Sequence, residues 1–203
     1  MNHSYLSSIK SAFVLMFVMT LLLGGLYPFI TFLLGQLIFP HEANGSLLFN
    51  HSSQTIVGSS LISQKFQCAK YMHPRPSAAG KEGYNAIQSG GSNLCVTSQK
   101  LLERTQEATS VYRALNGIDN SIYIPLDAVT TSASGLDPHI SIENALLQIP
   151  RIAKARRMTE NDVMVIVQKH TQRQALELFG EARVNVLLVN CALDGCYTEK
   201  KNE

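Results

Sequence analysis

The chain has 203 residues, 45% of them hydrophobic and 16% charged, with 17 Lys and Arg against 15 Asp and Glu. That length accommodates one folded domain plus a small addition. Removing Lys10 leaves 16 basic residues against 15 acidic ones, a balance that argues against a nucleic-acid partner, which would want a basic stripe.

The apolar residues are concentrated at the N-terminus. From Ser11 to Pro40, SAFVLMFVMTLLLGGLYPFITFLLGQLIFP carries no charged residue; Lys10 is the only Lys or Arg before Lys65, and Glu42 is the first acid. About 20 apolar residues, rising ~1.5 Å each, span a bilayer core. The sequence therefore predicts a short cytoplasmic N-terminus (1–11) and a transmembrane helix from Ala12 to Leu34. A cleaved secretory signal would have an apolar core of about 7–15 residues ending at a small-x-small site, and no such site closes this run. Gly24, Gly25 and Pro28 interrupt it, which membrane helices tolerate. Lys10 lies on one side, and no Lys or Arg follows within about 15–20 residues on the other. The positive-inside rule then expects a single-pass protein with its N-terminus in the cytoplasm and its main domain outside.

Residues 35–55, including HEANGSLLFNHSSQ, read as a connector, 56–194 as a mixed α/β domain, and 195–203 as a polar tail. TIVGSSLISQKF suggests a strand ending in a short helix. YMHPRPSAAGKEGYNAIQSGGSN is dense in Pro, Gly, Ser and Asn, a long loop of the kind that is usually functional or disordered. SQKLLERTQEATSVYRALNG predicts a helix with Leu101, Leu102, Val111 and Leu115 on its apolar side and a stop at Asn116-Gly117. SIYIPLDAVT reads as a short or edge strand limited by Pro125. SIENALLQIPRIAKARR predicts a helix capped by Ser141, with Glu143 near its positive end and a kink or split at Pro150. Thr159 with Asp162 forms a capping-box variant, and Val163, Ile166, Val167 and His170 share one helical face. RVNVLLVNCAL reads as the best strand in the chain.

SASGLDPHIS, residues 132–141, places Ser134, Asp137 and His139 close together. A hydrolase using Ser134 and His139 would need G-x-S-x-G, but Ser132 stands where the first Gly belongs. A metal site could draw on His73, Asp137, His139 and His170, but no two are paired at i, i+4. A structured turn accounts for more letters. Gly135 permits positive φ, Asp137 can form an Asx-turn, and Pro138 fixes φ. SGGSN (89–93) could present backbone N–H groups to an anion, whereas RPSAAGKE misses the P-loop pattern at Arg75 and Glu82. Cys68, Cys95, Cys191 and Cys196 form no CxxC pair or zinc spacing, which favours scattered thiols over bridges.

Five stretches in order carry a resemblance: YMHPRPSA (71–78), YNAIQSGGSNL (84–94), SGLDPHIS (134–141), IPRIAKAR (149–156) and RVNVLLVNCALD (183–194). Together they resemble the KdpC family, the C subunits of bacterial Kdp potassium-transporting P-type ATPases. The resemblance implies a non-catalytic subunit of the bacterial inner membrane, needed for assembly and activity. Its implied partners are a channel-like potassium-binding subunit, a P-type ATPase subunit, a small peptide subunit and membrane lipid. It implies no cofactor of its own, with ATP available through the ATPase subunit. Two family roles follow: a catalytic chaperone raising ATP affinity, with SGGSN likened to a nucleotide signature, or a cap over the potassium entrance. ATP is cytoplasmic while the expected topology puts Ser89–Asn93 outside, which favours the second. This chain has Cys95-Val96 where the family pattern after SGGSNL is Gly-Pro, and Met72 where an aromatic is usual. His73, Arg75, Ser89, Gly90, Gly91, Asn93, Ser134, Gly135, Asp137, Pro138 and His139 are the expected interface or loop-shaping residues.

Overall fold

The computed structural model describes residues 2–50, 53, 55–174 and 179–195. The chain divides into two compact units, Met1–Leu47 and Leu48–Glu203. In the first, helix α1 (Asn2–Leu21) passes through one π-turn (Leu22–Leu26) into α2 (Tyr27–Ile38), followed by the short α3 (Pro40–Ala43). Residues Tyr5–Ile38 are long and apolar enough to cross a membrane. Large apolar side chains along this segment are exposed among the described residues: Phe13, Phe17 and Leu37 are 63%, 64% and 79% exposed. The helix continues beyond Leu34, through the helical Gly35, to Ile38, and it ends at Phe39 just before Pro40.

The second unit is a mixed helix and small-sheet domain. Strands β1 (Leu47–Phe49) and β2 (Ile56–Ser59) form a pair, so part of the segment read as connector is ordered structure. No helix follows β2; the chain turns at Ser59, whose carbonyl accepts from Ile62 N at 3.2 Å. Helix α4 (Gln99–Asn116) ends as expected, with Gly117 in the left-handed conformation. Its buried side differs from the expected one. Leu102, Val111 and Leu115 are exposed, whereas Leu101, Ala108 and Tyr112 turn inward, because Tyr112 supplies the large ring that packs on Ile124, Ala128 and Val129. SIYIPLDAVT is not a strand. It forms a loop and one helical turn, α5 (Leu126–Val129). The cause is Asp127: its Oδ2 accepts from Ser141 N at 2.8 Å and its Oδ1 from Ser141 Oγ at 2.9 Å, which tethers that turn.

Strand β3 (His139–Ser141) leads directly into α6 (Ile142–Arg156), where Ser141 Oγ accepts from Asn144 N at 3.1 Å as the N-cap. Pro150 does not split this helix. Its neighbours on both sides are fixed in the interior: Gln148, Ile149, Arg151 and Ile152 are all buried, so packing outweighs the lost backbone bond. The capping box of Thr159 and Asp162 opens α7 (Glu160–Lys169), whose Val163 and Val167 are fully buried. Strand β4 (Thr171–Gln172) follows. RVNVLLVNCAL then divides. Only β5 (Arg183–Asn185) is strand, and α8 (Val186–Leu193) is helix. Asn185 makes the switch: its Oδ1 accepts from Leu188 N at 3.1 Å and caps the helix. Because α8 is buried on nearly every side, its sequence shows no amphipathic period, and its valines mimic a strand.

Strand β5 lies between β3 and β4, antiparallel to both, with Ile140 opposite Val184 and Thr171 opposite Val184. The main core joins this sheet to the last three helices through Met72, Ile140, Ile149, Ile152, Val163, Val167, Val184 and Val189.

One irregular segment is held between two of those helices. Asn190 Oδ1 accepts from Met72 N at 2.8 Å, and its Nδ2 donates to Met72 O at 2.9 Å. The next residue is held from α6: Gln148 Oε1 accepts from His73 N at 2.8 Å, and its Nε2 donates to His73 O at 3.1 Å. Two carboxamides therefore satisfy four backbone groups as strand neighbours would. Replacing Asn190 by Ala strands both backbone groups of buried Met72, and should cost about 2–4 kcal/mol of domain stability. Urea unfolding of the detergent-solubilised chain measures this; a loss indistinguishable from that of an exposed Asn→Ala change would refute the clamp.

Candidate functional site

The residues singled out in sequence converge where two loops meet. The first loop runs from Met72 to Gly91 and the second from Thr131 to Pro138. Gly90 N donates to Ser134 O at 2.9 Å, and Ser89 Oγ donates to the same carbonyl at 3.0 Å. Ser77 Oγ donates to Gly135 O at 2.6 Å while accepting from Ala79 N at 3.1 Å and Tyr84 N at 2.8 Å. Ser63 N donates to Leu136 O at 2.9 Å. Pro138 O accepts from Val186 N at 2.9 Å, tying the second loop to the start of α8.

Backbone packs on backbone here, which explains the glycines. A Cβ on Gly91 would lie 2.9 Å from Ala133 O. One on Gly135, whose φ is +67°, would lie 2.7 Å from Gly90 O and 2.8 Å from Ala79 N. Tyr84 itself adopts φ +58°, and its hydroxyl donates to Arg75 O at 2.9 Å. Burial pushes that phenol up to about 12.

Charge is concentrated on Asp137. Its Oδ1 accepts from His139 N at 3.0 Å, the Asx-turn expected from sequence, and lies 3.3 Å from His139 Nδ1. Its Oδ2 lies 3.4 Å from Arg75 Nη1, and Arg75 Nη2 approaches Thr131 O at 3.5 Å. Burial acts to raise the Asp137 carboxyl, but the bonds and charge of His139, with Arg75, hold it below the ordinary carboxylate range. Ser134 Oγ accepts from Leu136 N at 3.1 Å within its own turn. Gly90 N, one of the amides that an anion-binding loop could offer, is bonded to Ser134 O. Among the described residues no three His, Cys, Asp or Glu side chains come together as metal ligands. Cys68 and Cys95 are exposed thiols, Cys191 is a buried one, and Cys196 lies outside the described residues.

Two of the expected residues stand apart. Asn93 is exposed with φ +51° and makes no hydrogen bond to either loop among the described residues. His73 belongs to a second, buried network. Its Nε2 lies 3.2 Å from Cys68 O, and burial, then the charge of Arg151, lower its pKa. Arg151 donates to Asn116 Oδ1, Ala69 O, Tyr71 O and Gln148 Oε1, all neutral acceptors at 2.7–2.9 Å, and desolvation brings it down to about 10. Asn144 extends the network: its Oδ1 accepts from Tyr112 OH at 2.8 Å and Gln148 Nε2 at 2.9 Å, and its Nδ2 donates to Asp127 Oδ2 at 2.9 Å. Sequence inspection missed Ser77, Asn144, Gln148, Arg151 and Asn190. A signal existed for four of them: Asn144, Gln148 and Arg151 recur at i, i+4 and i+7 on the core face of α6, and Asn190 interrupts an apolar run.

Two outcomes test this geometry. Gly135→Ala should destabilise the domain by more than about 2 kcal/mol, whereas Gly117→Ala, left-handed but in open space, should cost about 1 kcal/mol. Equal losses in thermal unfolding would contradict the close backbone contact. Because the folded-state pKa of Asp137 is depressed, its contribution is present above the unfolded value of about 3.9 and is lost as pH falls through the folded value. Asp137→Asn keeps the turn acceptor and removes the charge, so it should flatten the acid limb of stability below about pH 4. An unchanged pH profile would mean the carboxylate is not held by its partners.

A family model described as "KdpC: K+-transporting ATPase, c chain" matches residues 9–195. A "Potassium-transporting ATPase KdpC subunit" of Mycobacterium tuberculosis is 45% identical over 183 residues, covering 90% of this chain and 95% of its own. Proteins of the same description from Geobacter metallireducens and Caulobacter vibrioides are each 44% identical, over 189 and 192 residues. They cover 93% and 95% of this chain, and 98% and 95% of their own lengths.

Proposed function

This chain belongs to the KdpC family, the c chain of the K+-transporting ATPase, and on that premise we propose that it is a non-catalytic, single-span subunit whose domain docks on the channel-like potassium-binding subunit from outside the membrane. Its accessory role in potassium uptake follows from the family. The partners in this reading are that subunit, the P-type ATPase subunit, a small peptide subunit and the lipid around the span.

The carrying observation is that the chemistry-bearing loop residues are engaged with each other. Ser134 Oγ bonds its own turn, His139 faces Asp137, and Gly90 N bonds Ser134 O. That arrangement supports a rigid surface for protein contact more than a nucleophile or a phosphate cradle, and leaves ATP to the ATPase subunit. The absence of any charge from Ser11 to Pro40, with Lys10 just before it, supports the cytoplasmic N-terminus.

Cys95 offers the test. It is exposed, and the Thr97 hydroxyl bond lowers its thiol, which favours reaction. With the other three cysteines replaced by Ser and the outer membrane made permeable, an impermeant maleimide should label Cys95 in cells whose inner membrane is intact. Labelling only after inner-membrane lysis overturns the orientation. In the purified complex, Ser134→Ala should keep potassium-stimulated ATPase activity within about twofold; a loss of about 100-fold with all subunits present would point to chemistry at Ser134 instead.

A further inference from the structure

Near the middle of the uncharged run from Ser11 to Pro40, the helix changes its hydrogen-bond step. In the π-turn Leu22–Leu26, Tyr27 N donates to Leu22 O, five residues back. In an α-helix that N–H would serve Leu23 O. The next nitrogen, which would serve Gly24 O, belongs to Pro28 and carries no hydrogen. Two adjacent carbonyls, those of Leu23 and Gly24, thus lose their α-helical donors at one place.

The span's own hydroxyls turn elsewhere. Thr20 Oγ1 donates to Met16 O at 2.8 Å, and Thr31 Oγ1 to Tyr27 O at 3.0 Å and Pro28 O at 2.9 Å. Beside the same carbonyls the surface is open: a Cβ on Gly25 would meet nothing within 4 Å, and one on Gly24 only Thr20 Cγ2 at 4.0 Å. Gly24, at the centre of the bulge, stands 13 positions after Ser11 and 16 before Pro40, or ~20 and ~24 Å of helix. Headgroups and water do not reach that depth, and lipid tails carry no donor.

We propose that this bulge is a notch for a transmembrane helix of a partner subunit, which sets a Ser, Thr, Asn or Gln side chain as donor against the Leu23 and Gly24 carbonyls. The small residues let that helix approach closely, and the freed acceptors give the contact its specificity. The inference rests on the membrane-spanning, complex-bound reading above.

The test uses the full complex in native membranes. A photo-reactive side chain in place of Leu26 should cross-link to a partner-subunit helix bearing such a donor. Gly25→Leu should lower recovery of the partner subunits through this chain at least about tenfold, whereas Gly25→Ala should change it less than about twofold. Replacing the identified donor by an apolar residue should lower recovery about fivefold, and less than about twofold when this chain carries Pro28→Ala, which restores an N–H for Gly24 O. Cross-links only to lipid or to a second copy of this chain overturn the proposal, as does an equal effect of donor loss in both backgrounds. If the unaltered chain recovers no pump subunits, the family-level reading fails; if it recovers them and Gly25→Leu matches it, only the notch fails.

Discussion

The clamp on Met72 and His73 is the constraint around which the domain is organised. This segment has no strand neighbour, yet it runs through the core, with Met72 fully buried. Buried N–H and C=O groups left without partners would each cost more than a typical hydrogen bond returns. Gln148 on α6 and Asn190 on α8 remove that cost with one carboxamide each. They also fix the spacing between the two helices, because both must reach the same dipeptide. Arg151 completes the arrangement by taking the Ala69 and Tyr71 carbonyls just upstream. A buried guanidinium with only neutral acceptors is tolerable because every acceptor is well placed and the charge is spread over the group.

From that clamp the first loop emerges in a fixed direction, and the second loop is built to meet it. Ser77 and Gly90 reach Gly135 and Ser134, and Arg75 reaches Asp137. The contact is close enough that Gly91 and Gly135 admit no side chain. At the chain's far end, Arg156 bonds Asp194 at 2.7 Å and lies over the Tyr71 ring, whose hydroxyl donates to the same carboxylate. A subunit of a potassium-transporting ATPase thereby gains a loop surface whose shape is set by internal bonds.

Much of this was legible in the sequence where the signal is local. The uncharged run, the Ser141 and Thr159 caps, the Gly117 stop and the Asp137 turn each depend on a few adjacent residues, and each is present in the structure. Signals that depend on distant partners were not legible. Val186–Leu193 looks like a strand because burial on all sides erases the helical period, and only Asn185 marks the change. Leu102, Val111 and Leu115 looked like a core face because the position of Tyr112 opposite α5 and α6 cannot be read from spacing. Ser89, Gly90, Ser134, Gly135 and Asp137 could be named one by one as interface or loop-shaping candidates, but their gathering could not be read, because the contacts join segments some 45 positions apart. Gln148 and Asn190 left a local mark as polar residues among apolar ones, but the dipeptide they hold, 75 and 118 positions away, was not legible.

The Asn190–Met72 pair also sets an order of events. The two residues are separated by 118 positions, and Asn190 belongs to the last helix among the described residues. While the chain is being made, Met72 can collapse against apolar neighbours, but its peptide groups have no lasting partner until residue 190 has left the ribosome and reached it. Long-range closure of this kind slows folding and keeps the early segment open to solvent and proteases meanwhile. The interior around Met72 is therefore completed late, after the loops that depend on it have been made.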